Sequence, residues 1–255
     1  MTSATITDKI ATIVPTAHLP EIAHHTRFMA LVHLLQDSTY FDFYKARVDE
    51  GRYVILDNST VELGEPWPMD SYLEEALRLG ASEILLPDWL HNRSRTMNAA
   101  AEGLVLIRKS RYRGSVMGVP QGSTQREWAE CLKDMLTLGI CSIGISRRYL
   151  DMFGVSRYFA CVIADNIALD KDAYLRVHLL GSGFRPEIDV APCLRLPYVV
   201  GVDSAMPSYY TKLGEELHVG SEAPENRVIN FVSDCYDRDL LSRNIASWVE
   251  LCSLP

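Results

Sequence analysis

The 255-residue chain lacks the cysteine spacings that mark a metal or redox centre. Its six cysteines are scattered, and no two of them stand in a C-x-C or C-x-x-C pattern. A zinc ribbon or a thioredoxin-like site is therefore not expected, and no metal site is predicted. Since nothing indicates a disulfide framework either, a reducing cytoplasm is the expected compartment.

Long apolar runs, an excess of basic charge and phosphate-binding loops are missing as well. No stretch approaches the ~18 apolar residues of a membrane helix, so no membrane partner is predicted. A net charge of −8 argues against a surface coated with basic residues for non-specific nucleic-acid binding, although a local basic patch remains compatible with it. Neither G-x-G-x-x-G nor a Walker motif is present, which disfavours a doubly wound nucleotide-binding sheet.

Eight short apolar runs alternate with helical patterns along the chain. Several runs are apolar at every position, as strands buried on both faces of a parallel sheet are. The pattern predicts one (β/α)8 TIM barrel, an α/β fold, spanning residues 1–255 as a single domain, with an open doubly wound sheet as the alternative. The predicted strands are Ala11–Val14, Phe28–Leu35, Tyr53–Leu56, Glu83–Leu86, Val116–Val119, Ser142–Ile145, Leu175–Leu180 and Tyr198–Val202, and the predicted helices are Met69–Leu79, Ser94–Lys109, Thr124–Leu138, Ser156–Leu169 and Asp237–Leu251.

Polar residues follow the predicted strands at the end where barrel enzymes place their active sites. One aspartate there is often only a helix N-cap, and Asp203 could cap a helix that begins near Pro207. Three aspartates and a glutamine at the same end favour a shared pocket, in which like charges raise each other's pKa. The strand-end residues are Asp57, Asn58, Asp88, Gln121, Gly122, Arg147, Arg148, Gly181, Ser182, Gly183, Asp203 and Ser204.

Two histidines, His33 and His178, lie inside apolar runs. A lone histidine in a strand is more often a hydrogen-bonded core residue than a metal ligand. No H-x-H or H-x-x-E-H pattern is present, so neither histidine is expected to bind a metal ion.

The ordered series LDNSTVELGE, LLPDWL, GVPQGS, SIGISRR, VHLLGSG and GVDSAMP resembles the tRNA-guanine transglycosylase superfamily. It is most similar to the short phage-type DNA-guanine transglycosylases (the DpdA group), over residues 28–210. The resemblance implies a (β/α)8 barrel that exchanges a guanine base in nucleic acid for a 7-deazaguanine derivative. The exchange passes through a covalent aspartyl-glycosyl intermediate and leaves the backbone intact.

The resemblance also implies roles for individual residues. Asp203 is the expected nucleophile and Asp57 the expected proton-transfer group, while Asp88 is expected to bind the guanine edge. The remaining expected substrate contacts are Gln121 and Gly122 at the heterocycle, Gly144 through its backbone, Arg147 and Arg148 at flanking phosphates, and Asn58, His178 and Ser204.

Two departures from the family pattern affect the expected substrate. The C-x-C-x-x-C…H zinc site of the tRNA enzymes is missing, so no cofactor is expected and DNA ranks ahead of tRNA as partner. In those enzymes the nucleophile is the second aspartate of G-[IV]-D-x-F-D. Here Met206 occupies that position and Asp203 aligns with the first aspartate. If the protein is encoded by a phage, the expected compartment is the host cytoplasm.

Two other functions remain open at the level of sequence. The same carboxylates could hydrolyse the N-glycosidic bond of a nucleoside or nucleotide, with water in place of the incoming base. A non-catalytic relative that binds a purine is the third hypothesis, favoured by the displaced nucleophile motif.

Overall fold

Eight parallel strands form a single sheet in a computed structural model that describes residues 5–182, 184–223 and 228–255. The order is β1-β8-β7-β6-β5-β4-β3-β2, and β1 and β2 at its two ends lie side by side, so the sheet is a nearly closed barrel. The predicted (β/α)8 TIM barrel is confirmed. The strands are β1 Ile10–Thr12, β2 Arg27–Leu31, β3 Tyr53–Asp57, β4 Glu83–Leu85, β5 Ser115–Gly118, β6 Ser142–Ser146, β7 Arg176–Leu180 and β8 Val199–Ser204.

The predicted strands all coincide with observed ones, and the largest difference is at β2. The predicted run continued to Leu35, but the strand ends at Leu31 and the chain turns into a 3-10 helix at Val32–Leu34. The Tyr40 hydroxyl accepts the Leu31 backbone N–H at 2.9 Å. Since Val32 and Leu34 are buried as well, their apolar character does not reveal where the strand ends.

The five predicted helices are confirmed: Met69–Leu79 agrees at both ends, and no end of the other four is shifted by more than two residues. Thr124 caps the helix that follows β5 by accepting the Glu127 N–H, as its sequence pattern predicts. The helix after β4 is capped by Asn92 rather than Ser94. The helices are α1 Ser38–Asp49, α2 Thr60–Leu63, α3 Met69–Leu79, α4 Arg93–Lys109, α5 Gln125–Thr137, α6 Arg148–Phe153, α7 Arg157–Asp170, α8 Pro186–Asp189, α9 Ala191–Leu194, α10 Met206–Leu213 and α11 Arg238–Ser253.

The barrel interior is polar at the amino-terminal ends of the strands, although barrel cores are usually filled by branched apolar side chains. Arg176 on β7 donates to the Tyr53 hydroxyl on β3 at 2.9 Å, and that hydroxyl donates to Glu83 on β4 at 3.0 Å. The Arg27 guanidinium lies 4.4 Å from the centre of the Tyr53 ring. Because β3 and β7 stand on opposite sides of the barrel, these hydrogen bonds cross its interior and close it at the amino-terminal ends of the strands.

Among the residues that the structure describes, no helix combines the length and the apolar character needed to cross a membrane.

Candidate active site

A cavity of about 880 Å³ opens at the carboxyl ends of the strands. The ends of β3, β4 and β8 bring Asp57, Asp88 and Asp203 to its wall, so the three predicted carboxylates share one space. Aliphatic side chains between them, such as Leu31 and Leu180, keep the floor apolar. The cavity is large enough for a nucleotide-sized ligand, given that small-molecule sites span about 300–1,000 Å³.

Asp203 is held by two hydrogen-bond donors at the end of β8. Its Oδ1 lies 3.1 Å from His178 Nε2, and its Oδ2 accepts the Gly181 backbone N–H at 3.1 Å. The helix-cap hypothesis for Asp203 is wrong: α10 begins at Met206, and the Met206 N–H is accepted by the Ser204 hydroxyl. Asp203 therefore faces the cavity with its carboxylate fixed from behind.

Asp57 stands at the end of β3, where the chain makes an unusual turn. Its Oδ1 accepts the backbone N–H of Ser59 at 2.5 Å, and Ser59 adopts a left-handed conformation with φ of 57°. Burial raises the pKa of Asp57 well above its ordinary value. The negative charges of Glu62, Asp203 and Asp88 raise it further, against the opposing effect of the Ser59 hydrogen bond. Asp57 is thus the carboxyl group best placed to carry a proton.

Asp88 is buried and held by two amide side chains. Gln121 Nε2 donates to its Oδ2 at 2.7 Å, and Asn58 Nδ2 lies 3.4 Å from its Oδ1. Burial raises the pKa of Asp88 to about 6 even though both amides lower it. Asn58 also donates to the Leu86 carbonyl and accepts from the hydroxyl of Thr60, so its own hydrogen-bonding groups are occupied. Asn58 and Gln121 therefore orient Asp88.

Several other predicted substrate contacts lie outside the cavity wall. A Cβ at Gly122 would stand 2.5 Å from the Trp128 backbone nitrogen, and one at Gly144 would stand 2.6 Å from Leu180 Cδ1. Both glycines thus allow close packing of the backbone. His178 and Ser204 are buried behind Asp203, and Gly183, also expected near the site, lies outside the described residues.

Arg147 and Arg148 line the cavity where β6 leads into α6. The side chain of Arg147 packs over Gly181, with its Cδ 3.2 Å from the position that a Cβ would take there. Within the described part of the chain, neither arginine forms a salt bridge with a carboxylate. Both are half-buried and available to an anion.

The structure adds residues to the site that the sequence did not reveal. Glu62 on α2 lies at the solvent-exposed mouth; partial desolvation and the Asp203 charge raise its pKa. The motif LDNSTVELGE contains Glu62, but nothing in its spacing predicts that a one-turn helix brings it back to the cavity. Three aromatic side chains also line the cavity: Tyr209 from α10, and Phe184 and Phe231 from loops. No sequence pattern marks these residues.

Among the described residues, no group of three or more His, Cys, Asp or Glu side chains is placed to hold a metal ion.

Comparison with known proteins identifies the fold. No protein-family model and no curated protein matches the chain. Two crystal structures of tryptophan synthase from M. tuberculosis are similar at 11% sequence identity. The open form with BRD0059 bound has a TM-score of 0.54 over 98% of this chain and 95% of that chain. The aminoacrylate- and BRD0059-bound form has a TM-score of 0.51 over 97% and 92%. At this identity the likeness shows the barrel fold alone.

Proposed function

We propose that this protein is a guanine transglycosylase that exchanges guanine in DNA for a 7-deazaguanine base. The observation that carries the proposal is the convergence of three carboxyl groups, in three different environments, on one cavity. Asp203 is held by two donors, Asp57 is driven toward its protonated form, and Asp88 is clamped by two amides. Carboxyl groups whose surroundings differ in this way divide the roles of nucleophile, acid and binding group.

In the first step the Asp203 carboxylate attacks C1′ of a deoxyguanosine unit and the bond from C1′ to guanine breaks. Asp57 gives its proton to the departing guanine. In the second step the incoming 7-deazaguanine loses its N9 proton to Asp57, and N9 attacks C1′ to release Asp203. Two displacements at the same carbon retain the configuration, as in retaining glycosidases.

Asp88 supports a preference for guanine over the other bases. Guanine presents N1–H and N2–H donors beside the O6 acceptor, and a carboxylate accepts the former. Because Asn58 and Gln121 donate to Asp88, its carboxylate is oriented before the base arrives. The same interaction suits a 7-deazaguanine, which keeps that edge of the ring.

The rim of the cavity supports a nucleic-acid substrate. Arg147 and Arg148 provide two half-buried cations in the cavity wall, and flanking phosphates are the groups they suit. Phe184 and Phe231 offer apolar faces for an extruded base. DNA ranks ahead of tRNA because the zinc pattern of the tRNA enzymes is missing from the sequence.

The test uses an oligodeoxynucleotide that carries radiolabelled guanine, incubated with the protein and candidate 7-deazaguanine bases. We expect label release that depends on the added base, and a denaturation-resistant protein–DNA adduct when the base is withheld. Asp203→Ala should abolish both, whereas Asp170→Asn, an exposed change at the end of α7, should leave both unchanged.

Two other outcomes have defined meanings. Release of guanine without uptake of the added base, by water alone, would indicate the N-glycoside hydrolase. Binding of guanine with no turnover, unaffected by Asp203→Asn, would indicate the non-catalytic purine-binding protein. Full base exchange by Asp203→Ala would reject Asp203 as nucleophile.

A further inference from the structure

His178 is a buried imidazole directly behind the Asp203 carboxylate. Its side chain is inaccessible to solvent and does not line the cavity, so it cannot contact a ligand there. Its Nε2 lies 3.1 Å from Asp203 Oδ1. A register irregularity between β7 and β8 sets Gly201 opposite His178. Such irregularities commonly redirect a side chain beside an active site.

The other ring nitrogen of His178 lies on the side of Gly201, where the Arg27 side chain also packs. A Cβ at Gly201 would stand 2.7 Å from His178 Nδ1 and 3.1 Å from Arg27 Nε, so glycine leaves the room in which these two groups approach each other. Within the described residues, both atoms are buried without a hydrogen-bond partner, as is Arg27 Nη1. A guanidinium only donates hydrogen bonds. A proton on Nδ1 would therefore add one more donor beside the unpaired N–H groups of Arg27, whereas a bare Nδ1 presents an acceptor on that side.

We propose that His178 is a positioning residue that sets the orientation of the nucleophile. It is held as the neutral tautomer with the proton on Nε2, and Nδ1 is left bare on the side of Arg27. The Nε2–H donates to Asp203 Oδ1, and the Gly181 N–H donates to Oδ2. The charged groups that face the ring are Asp203 on β8 and Arg27 on β2.

The proposal rests on the proposed role of Asp203 as nucleophile, and it makes a kinetic prediction. His178→Leu removes the donor to Asp203 and keeps an apolar side chain of similar size. His178→Gln places an amide donor near the position of Nε2. We expect His178→Leu to slow adduct formation at saturating DNA by about 10- to 100-fold, the effect of losing a hydrogen bond to a charged group. His178→Gln should recover most of that loss.

Binding of the guanine oligonucleotide should stay within about twofold in both variants, because His178 does not reach the cavity. Equal rates in the wild type and His178→Leu would overturn the proposal. A loss of affinity with an unchanged rate of adduct formation would overturn it too, since that result would make His178 a binding residue. Circular dichroism establishes that each variant is folded.

A second measurement keeps this inference separate from the proposed function. In wild-type protein labelled with ¹⁵N-histidine, long-range ¹H–¹⁵N correlation spectra distinguish the two neutral tautomers from the imidazolium. The signals of His178 are those that disappear in His178→Gln. We expect a protonated Nε2 and a bare Nδ1 at neutral pH, whether or not the protein exchanges bases. A proton on Nδ1 would overturn the inference, whereas the absence of any DNA adduct in the wild type would reject the proposed function alone.

Discussion

At the scale of single residues, the site depends on how differently three aspartates are surrounded. Asp57 and Asp88 are both disfavoured as anions by burial, but Asp88 has two amide donors and Asp57 has one backbone N–H beside several negative charges. The Asp203 carboxylate lies beside two donors, and none of the described acidic side chains is hydrogen-bonded to it. The raised pKa of Asp57 therefore suits it to carry the proton, and it gives the pH dependence of the proposed reaction.

The prediction for Asp57 concerns rate and pH together. Asp57→Asn removes the proton donor, and we expect a loss of about 10²- to 10⁴-fold in the rate of guanine release, as is usual for a general acid. In the wild type the rate should fall as the pH rises through the raised pKa of Asp57, because the departing guanine then lacks its proton. Single-turnover label release between pH 5 and 9 measures both effects. An alkaline limb that persists in Asp57→Asn would assign the titration to another group.

At the scale of elements, the strands were predictable and so were most of their ends, β2 excepted, but the contacts between elements were not. Runs such as Tyr53–Leu56 are apolar at every position, and a following polar residue such as Asp57 marks the carboxyl end. The helix Ser38–Asp49 was missed because its apolar residues are mostly aromatic and form no clear helical stripe. The position of Asp203 was predictable in the same way as that of Asp57, whereas the hydrogen bond of His178 to Asp203 depends on strand rotation and register.

One such contact between elements is a buried ion pair beside the site. Arg157 on α7 forms a two-pronged salt bridge with Asp189 on α8, and both side chains are almost inaccessible. The same guanidinium donates to the Gly181 carbonyl at 2.8 Å and lies 3.3 Å from the Leu180 carbonyl. Since the Gly181 N–H holds Asp203, Arg157 supports the loop behind the proposed nucleophile.

We therefore expect Arg157→Met to be strongly destabilising. It leaves Asp189 as a buried charge without its partner, which costs about 3–5 kcal/mol of unfolding free energy. Urea unfolding of the wild type and the variant gives the difference. Arg126→Met is the matched control, because its arginine is 89% exposed and pairs with Glu130 on the surface of α5, where such pairs contribute less than about 1 kcal/mol. A loss for Arg157→Met no larger than that of the control would contradict the structural role.

At the scale of the whole molecule, several acidic side chains are concentrated at one end of the barrel. At the amino-terminal ends of the strands, Tyr53 links Arg176 to Glu83, and Arg27 stacks on the Tyr53 ring. The opposite end, where the carboxyl ends of the strands meet, carries Asp57, Asp88, Asp203 and Glu62 around one cavity. This concentration of acids is unfavourable to folding at neutral pH, because burial opposes the ionisation of Asp57 and Asp88, and neighbouring negative charges oppose that of Asp57 further. This cost is measurable through Asp88.

The pKa of Asp88 is raised to about 6 in the folded protein, against about 3.9 for an unperturbed aspartate. Between these values the folded state binds a proton that the unfolded state has released, so stability falls as the pH rises from about 4 to about 6 and then levels off. The difference of about two pKa units corresponds to about 3 kcal/mol. Asp88→Asn cannot ionise. The unfolding free energy of Asp88→Asn minus that of the wild type should therefore increase by about 3 kcal/mol between pH 4 and pH 6.5.

Urea unfolding at half-unit pH intervals measures this difference directly. Asp8→Asn is the control for the direction of this change in unfolding free energy. Hydrogen bonds from Thr5 lower the pKa of Asp8, so Asp8 titrates below the pH range from 4.5 to 6.5. The Asp8→Asn difference should stay nearly constant from pH 4.5 to pH 6.5. A flat difference for Asp88→Asn as well would mean that water or a conformational change relieves the buried carboxylate. Asp88 would then be an ordinary ionised aspartate in the free protein, and only a bound base could desolvate it.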